Sequence, residues 1–309
     1  MSFQICGAPC CWGIELPLQP HYPTWQRVLA EAAQAGYSAI ELGPSGFLPL
    51  DVDVCSKALN EHGISIVAGT IFHDLIDPNN QEYVLKAVDD ICSLITKLPP
   101  LKRHDGQKFP TPYMTIMDWG HDERDFNAGH SDRAPRLSDE EWAQFMNHLR
   151  AICDRANSYG VRPVIHPHAG TYIEYEDEIE AVLRDIPYEV AGLCLDTGHL
   201  YYAGMDPVTY LKKYADKLDY VHFKDVNDAV FKEVLAEDKI RFFEGCAKGA
   251  MCPIGKGSLD YPAIKQALLD IGYSGYITIE QERDPRNADG TLADVKSSVD
   301  YLKSVGYEI

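Results

Sequence analysis

The sequence predicts a (β/α)8 barrel that forms one domain over residues 1–309. A repeated unit of helix, glycine and short apolar strand occurs in "LAEAAQAGYSAIEL", "CSKALNEHGISIVAG", "AICDRANSYGVRPVIH" and "IKQALLDIGYSGYITIE". Gly36, Gly63, Gly160 and Gly272 stand where a helix favours a left-handed residue at its end. Eight such units fit this chain length. An open doubly wound sheet is the alternative, but no GxGxxG turn follows the first strand.

The predicted elements alternate along the chain. Strands are expected near residues 3–8, 38–42, 64–70, 112–117, 161–166, 190–196, 219–224 and 276–280. Helices are expected near 24–35, 51–62, 80–97, 138–158, 175–185, 206–217, 260–271 and 291–305. Ser138 with Glu141 forms a capping box, and Asp206 with Pro207 marks another helix start. Longer loops at 98–110, 118–137 and 226–258 include two at the carboxyl ends of strands, where barrels build active sites.

Composition and charge restrict the classes of partner. The chain has 28 basic and 47 acidic residues and a net charge of −19, which disfavours nucleic acids and anionic membranes. No apolar run reaches the roughly 20 residues of a membrane helix. The first residues, "MSFQICGAPCCWG", lack the features of a signal peptide, and the nine cysteines form no CxxC pair. We expect a cytoplasmic protein with reduced cysteines that forms a homo-oligomer and binds no nucleic acid or membrane. Its charge is compatible with binding a divalent cation and a neutral polar substrate.

Ionisable side chains follow four consecutive predicted strands. Neighbours two apart on a strand share a face, so three of these strands present same-face pairs. The residues are His166 and His168, then Asp196 with His199 one turn later, then His222 and Lys224, then Glu280 and Glu282. A single histidine at a strand end is more often structural than a ligand, but four strands in succession indicate a shared site. For Glu282 the alternative is a salt bridge to Arg283 or another basic loop residue, and for Lys224 a surface position.

One residue from each strand can ligate a metal ion. His166, Asp196, His222 and Glu280 form a set of two imidazoles and two carboxylates, which suits Mn, Co, Fe or Zn better than Mg or Ca. The partner of each ligand then faces the substrate, so His166 is predicted to ligate and His168 to act on the substrate. Weaker candidates for substrate contacts follow the first four strands: Trp12, Glu41, His73, Asp118 and Trp119. For the two tryptophans, packing at the barrel mouth is an equal alternative.

Several motifs resemble one superfamily. "HPHAGT", "LDTGHLYYAG", "VHFKDV", "PIGKGSLDYPAIKQAL" and "GYITIEQERDP" resemble the xylose-isomerase-like TIM-barrel sugar isomerases, epimerases and dehydratases, and within them the inosose (2-keto-myo-inositol) dehydratases. The resemblance implies one divalent metal, Mn or Co, with Zn, Fe or Mg open, at the four positions above. Many members have Glu where this chain has His166, and that Glu moves a proton in two-base epimerases. His at this position favours a dehydratase.

The resemblance extends to other residues of the site. Dehydroshikimate dehydratases of the superfamily are similar to this chain at His168 and Lys224, which implies proton transfer and enolate contact for these two residues. "APCCWG" resembles the first-strand motif of inosose dehydratases, but with Cys10 and Cys11 where small or hydroxyl residues are usual.

These observations predict a metal-dependent carbon–oxygen lyase that dehydrates a keto-cyclitol or related keto-sugar, a small polyhydroxylated keto substrate. His168 is the expected acid/base, Lys224 stabilises the enolate oxygen, and Glu282 or His199 handles the remaining proton or the substrate hydroxyls. The alternatives are an isomerase or epimerase acting on a free ketose, and a lyase of the 3-dehydroshikimate dehydratase kind. A metal-dependent nuclease is disfavoured by the negative charge, and a non-catalytic binding protein is the residual case.

Overall fold

The computed structural model describes residues 2–15 and 21–308. Its strands are β1 (Phe3–Gly7), β2 (Ala39–Ile40), β3 (Ser65–Ile66), β4 (Ala68–His73), β5 (Tyr113–Asp118), β6 (Arg162–Ile165), β7 (Gly192–Asp196), β8 (Leu218–Phe223), β9 (Asp225–Val226), β10 (Met251–Cys252) and β11 (Gly275–Ile279). Its helices are α1 (Trp25–Ala35), α2 (Val52–His62), α3 (Gln81–Ile95), α4 (Asp122–Asp125), α5 (Asp139–Ser158), α6 (Glu176–Asp185), α7 (Thr197–Tyr202), α8 (Pro207–Lys213), α9 (Asp228–Ala236), α10 (Phe242–Ala247), α11 (Tyr261–Asp270) and α12 (Thr291–Ser304). Short 3-10 helices occupy Pro9–Trp12, Pro78–Asn80 and Pro285–Gly290.

The main sheet is parallel throughout and closes on itself. Its order is β3-β2-β1-β11-β8-β7-β6-β5-β4. Only Val67 separates β3 from β4. The Val67 N–H donates to the carbonyl of Ile40 at 3.0 Å, and its carbonyl accepts from the N–H of Tyr113 at 3.0 Å. The third predicted strand is therefore one interrupted strand that joins the two ends of the sheet, and the predicted barrel is confirmed.

The predicted helix boundaries follow local signals. Gly36 and Gly63 end α1 and α2 with φ angles of 97° and 65°, a region that glycine enters without a steric penalty. Ser138 accepts from the N–H of Glu141 and forms the predicted capping box at the start of α5. Asp206 accepts from the N–H of Thr209 at 2.8 Å at the start of α8. The helix-to-strand units therefore form as the sequence predicts.

Apolar side chains fill the barrel below its carboxyl end. They come from neighbouring strands and from the junction between β3 and β4, and they include Cys6, Ala39, Val67, Ala68, Tyr113, Val164, Cys194, Tyr220 and Tyr276. Loop 98–110 covers the opposite end, where Gln107 donates to the hydroxyl of Tyr113 at 2.9 Å. This packing closes the barrel from below, so the ionisable side chains of the strand ends stand on an apolar floor.

The segment 226–258, which the sequence presents as a loop, carries secondary structure. It contains α9 and α10, and its strand β10 pairs antiparallel with β9. α10 has only six residues, which is too short for a helical period to be recognised in the sequence. Among residues 2–15 and 21–308, no helix is long and apolar enough to cross a membrane.

Candidate active site

Four predicted ligands meet at the carboxyl end of the barrel. His166 follows β6, Asp196 ends β7, His222 lies on β8, and Glu280 follows β11. One potential ligand atom from each of the four lies within 4.8 Å of the others. His166, Asp196 and His222 are each at most 1% exposed. The structure therefore brings together the four side chains that the sequence predicts as ligands.

Buried polar atoms in this cluster are left without hydrogen-bond partners. Among the described residues, neither ring nitrogen of His166 has a hydrogen-bond partner. Oδ2 of Asp196 and Nδ1 of His222 make only charged contacts, to Nζ of Lys224 at 3.2 Å and to Oε2 of Glu280 at 3.1 Å. An unpaired buried polar atom costs about 1–3 kcal/mol. Burial, with the charges of His222 and Lys224, lowers the pKa of His166 well below its usual range, so its ring stays neutral as a ligand must. The donor set and its unpaired atoms fit a divalent cation.

The carboxylate of Glu41 orients the ring of His222 from the side opposite Glu280. Nε2 of His222 donates to Oε1 of Glu41 at 2.9 Å, and the hydroxyl of Tyr220 donates to the same oxygen at 2.8 Å. Nδ1 of His222 then faces Oε2 of Glu280 at 3.1 Å. A carboxylate behind a ligand histidine fixes both its tautomer and its orientation. Glu41 also lines the cavity described below. Its contact with His222 is observed, whereas its contact with the substrate stays a prediction.

Lys224 lies at the centre of the site. Its Nζ atom is 2.8 Å from Oε1 of Glu282, 3.0 Å from Nε2 of His199 and 3.2 Å from Oδ2 of Asp196. It also donates to Glu280. Burial opposes the charge of Lys224, but the surrounding carboxylates raise its pKa well above the usual range. The side chain is 1% exposed, so the alternative of a surface lysine is wrong.

His168 is held as a neutral base. Its Nδ1 lies 2.8 Å from the carbonyl oxygen of Ala169, and a carbonyl accepts only from a protonated nitrogen, so Nε2 keeps its lone pair. Its ring centroid lies 5.9 Å from that of His166 and 3.8 Å from that of His199. Burial, followed by the charge of Lys224, lowers the pKa of His168 to about 3. The ring is therefore neutral, with its lone pair on Nε2, and its lowered pKa makes it a weaker base than a free imidazole.

Glu282 and His199 face the same space. Oε2 of Glu282 is buried without a partner among the described residues, and burial raises the pKa of this carboxyl to about 7. Nδ1 of His199 lies 3.2 Å from the N–H of Ala169, and its Nε2 lies 3.0 Å from the Lys224 ammonium. Arg283 pairs with Asp294 at 2.9 Å, and the alternative of a Glu282–Arg283 salt bridge is wrong.

A cavity of about 380 Å³ opens in front of these groups. His168, Lys224, Glu280 and Glu282 form its polar wall, and two of the weaker candidates, His73 and Trp119, also line it. The ring of Trp119 lies 4.9 Å from that of Phe72 and 5.7 Å from that of His168.

Trp12 is not brought to this cavity. It is 0% exposed in the core, and its indole N–H donates to Oε2 of Glu31 at 2.7 Å. The predicted substrate contact by Trp12 is therefore wrong, because its ring and its donor are both used in packing between the first strand end and α1.

Sequence reasoning missed Glu15. This residue lines the cavity, and its Oε1 atom is buried without a partner among the described residues. Burial, then the charges of Glu282 and Glu280, raises its pKa well above the usual range. Cys10 also lines the cavity, whereas Cys11 donates its thiol to the carbonyl of Ile279 at 3.4 Å. In the sequence, Glu15 is recognisable only as an acidic residue shortly after the first predicted strand.

A second polar cluster lies beside the cavity. It consists of Asp74, Asp118 and His121. Oδ1 of Asp118 accepts from the N–H of Leu75 at 3.1 Å, and Nε2 of His121 donates to the same oxygen at 2.9 Å. The hydrogen bonds of Asp118 therefore join the loops after β4 and β5, and the contact of Asp118 with substrate stays a prediction.

Comparison with known proteins agrees with this geometry. Residues 29–305 match the xylose isomerase-like TIM barrel family. The chain belongs to that family. It is 31% identical over 293 residues to an inosose dehydratase of Geobacillus kaustophilus, with 92% of this chain and 88% of that protein covered. It is 27% identical over 297 residues to the rhizopine catabolism protein MocC of Rhizobium meliloti, with 93% and 84% covered.

Solved structures share the fold of this family member. The probable 3-DHS dehydratase AsbF of Bacillus anthracis superposes with a TM-score of 0.68 at 15% identity, with 98% of this chain and 99% of that chain covered. The IOLI protein, whose structure has a binding zinc atom, superposes with a TM-score of 0.69 at 15% identity and 98% coverage of this chain. At this identity the likeness concerns the fold alone.

Proposed function

We propose that this protein is a metal-dependent dehydratase that removes water from a keto-cyclitol of the inosose type. The observation that carries the proposal is the lone pair on Nε2 of His168, held beside the cluster of His166, Asp196, His222 and Glu280. The Lys224 ammonium connects that cluster to Glu282. The relatives named inosose dehydratase support the same reaction.

The chain supplies a group for each step of such an elimination. A divalent cation held by the four-residue cluster would polarise the keto oxygen as a Lewis acid. Nε2 of His168 takes the proton from the carbon next to the carbonyl, and the ammonium of Lys224 stabilises the enolate oxygen. The electron pair of the broken C–H bond then expels the β-hydroxyl. The carboxyl of Glu282 protonates this hydroxyl, which leaves as water, and His199 beside it contacts the substrate hydroxyls.

The four ligands also restrict which metal ion is expected. Two imidazoles and two carboxylates suit Mn, Co, Zn or Fe better than Mg, which prefers oxygen ligands and retains its waters, and the resemblance to the superfamily implies Mn or Co. The zinc atom of the IOLI structure shows that a protein of this fold binds such an ion. We propose one Mn or Co ion for each chain.

An isomerase or epimerase acting on a ketose is the second candidate. It is favoured by the fold shared with an L-ribulose 3-epimerase, which superposes with a TM-score of 0.66 at 16% identity. Two bases that act on opposite faces of one carbon need about 6 Å between them, since each lies roughly 3 Å from the reacting atom. Ligand atoms of His168, His199 and Glu282 lie within 4.8 Å of one another. This spacing supports an acid and a base on one face of the substrate, which suits elimination.

The proposal is tested by one substrate screen. The protein loaded with Mn or Co is incubated with 2-keto-myo-inositol, 3-dehydroshikimate and common ketoses, and the products are followed by NMR. Loss of water from 2-keto-myo-inositol is expected, and His168→Ala loaded in the same way serves as the inactive control. Water loss from 3-dehydroshikimate alone would support the other lyase. Epimerised ketose without loss of water would contradict the dehydratase. Light scattering on the same sample tests the predicted homo-oligomer.

A further inference from the structure

The cavity extends beyond its polar wall into a crevice between β4 and α3. On β4, Thr70 faces the barrel, where its hydroxyl donates to Oε2 of Glu41 at 3.4 Å. Ile71 therefore points to the opposite face, towards α3. Besides Tyr83, three aliphatic residues of α3 line the same cavity, and their spacing places them on one side of the helix. They are Val84, Ala87 and Ile91. The crevice is thus aliphatic on both sides and continuous with the space in front of Lys224.

Polar groups near this crevice have other partners or lie at its mouth. Oδ1 of Asp74 accepts the N–H groups of Ile76 and Asp77 at 2.9 and 3.0 Å. The ring of His73 lies 5.1 Å from that of Tyr83, which is 58% exposed. A hydroxyl placed against Ile71 would therefore meet mainly carbon atoms. An unpaired buried hydroxyl is unfavourable, whereas a buried alkyl group is favoured.

We propose that the crevice binds an apolar substituent, an O-alkyl group, on a keto-cyclitol whose ring occupies the polar part of the cavity. This inference rests on the proposed function and narrows its substrate class. A fully hydroxylated ring matches the wall of His168, Lys224 and Glu282 but leaves the aliphatic wall uncovered. An O-methyl or O-ethyl ether fills it. One methylene group in an apolar pocket changes specificity by roughly 10- to 200-fold.

Ala87 is the residue that leaves room for this group. It is the smallest side chain of the α3 stripe and lies between Val84 and Ile91, at positions i+3 and i−4 relative to them. It is partly exposed, so a larger side chain can enter the crevice without disrupting the core. Leucine has nearly the helix propensity of alanine. Ala87→Leu should therefore fill the crevice while α3 keeps its structure.

The experiment measures binding and turnover on the metal-loaded enzyme. Calorimetry gives the Kd of myo-inositol and of its mono-O-methyl and mono-O-ethyl ethers, which lack the keto group and are not dehydrated. The value of kcat/KM is then compared for 2-keto-myo-inositol and its O-alkyl ethers. Ala87→Leu is the test variant. Ala293→Leu is the matched control, because Ala293 is exposed on α12 and does not line the cavity.

We expect at least one ether to bind about 10-fold or more tightly than the unsubstituted cyclitol. Ala87→Leu should remove that preference by weakening the ethers more than the unsubstituted ring, and Ala293→Leu should behave as the wild type. The inference is overturned if every ether binds more weakly than the parent, or if Ala87→Leu weakens both classes equally. If an ether binds as expected but no keto-cyclitol is dehydrated, the proposed reaction fails and the apolar subsite stands.

Discussion

Nε2 of His222 and Oε1 of Glu41 lie 2.9 Å apart, although 181 positions separate them in the chain. The contact crosses the barrel interior, from the end of β2 to the end of β8. Because Glu41 accepts the proton on Nε2, the other nitrogen of His222 is free to face Glu280. Glu41 therefore determines which ring nitrogen is available to a metal ion.

Replacing Glu41 with alanine should weaken metal binding without abolishing it. Loss of a carboxylate behind a ligand histidine typically lowers metal affinity by about 10- to 100-fold. Glu41→Gln keeps a side-chain oxygen that can accept from His222, so its loss should be smaller. Competition with a chelating dye measures both affinities. Unchanged metal affinity in Glu41→Ala together with a raised KM would instead identify Glu41 as a substrate contact.

Removing Asp196 should abolish metal binding. A catalytic metal site that keeps one position open has few protein ligands, and none of them can be lost without severe effect. Asp196 also accepts from the N–H of His199 at 2.8 Å and so caps the start of α7. Asp196→Ala therefore removes this cap as well as the ligand. Asp196→Asn keeps a capping side chain and separates the two effects.

Metal content by elemental analysis should be near zero for Asp196→Ala and strongly reduced for Asp196→Asn. Asp74→Asn is the control, because Asp74 belongs to the second polar cluster and its Oδ1 accepts backbone N–H groups. This variant should keep one metal ion per chain. Loss of metal from Asp74→Asn, with retention in Asp196→Ala, would move the metal site to the second cluster.

His121 should stabilise the protein in a pH-dependent way. Its Nε2 lies 2.9 Å from Oδ1 of Asp118 and 3.8 Å from Oδ1 of Asp74. Burial opposes the charge, but the hydrogen bond and charge of Asp118, followed by Asp74, raise the pKa of His121 above its usual 6.5. The folded protein therefore binds this proton more tightly than the unfolded chain. The added stability is complete below pH 6.5 and is lost as the pH rises through the folded-state pKa.

His121→Gln removes the titrating group. Its free energy of unfolding should lie about 1.5–3 kcal/mol below that of the wild type in mildly acidic solution, as for a hydrogen bond to a charged group. The gap should narrow in alkaline solution, as measured by urea unfolding across the pH range. A gap that is constant with pH would show that the ring contributes by packing against Tyr172, whose centroid lies 5.0 Å away.

The local part of this architecture could be predicted from the sequence. Gly36 and Gly63 mark helix ends through backbone conformation alone. The side chains of His166 and Glu280 were placed at one rim because parallel strands bring their carboxyl ends together. These inferences depend only on strand alternation and the number of units.

Contacts across the barrel could not be predicted in this way. The hydrogen bond of Glu41 to His222 and the four contacts of Lys224 depend on barrel diameter and strand stagger, which the sequence pattern does not specify. Trp12 was assigned to the substrate because it follows a strand, but the 3-10 helix Pro9–Trp12 turns its ring into the core. Glu15 was missed because the sequence after that helix shows no periodic pattern of apolar residues that would place its side chain.

The last prediction separates the roles of His166 and His168. His166→Ala should lose the metal ion and with it all activity, because neither buried ring nitrogen of His166 has a hydrogen-bond partner among the described residues. His168→Ala should keep the metal at nearly wild-type affinity and lose about 10²- to 10⁴-fold in kcat, the usual contribution of a positioned base. Metal content and steady-state rates on 2-keto-myo-inositol measure both effects.

The spacing of His166 and His168 along the chain is the geometric basis for their separate roles. Residues two apart on an extended segment have side chains on one face, separated by about 6–7 Å, and the two ring centroids are 5.9 Å apart. Under the proposed function, a substrate held at the His166 cluster would present its neighbouring carbon to Nε2 of His168. Exchange of the substrate α-proton with D2O should stop in His168→Ala. If His168→Ala loses its metal and His166→Ala keeps it, the two roles are reversed. If both variants keep metal and rate, the pair is structural, and the base must be sought among Glu282, His199 and Glu15.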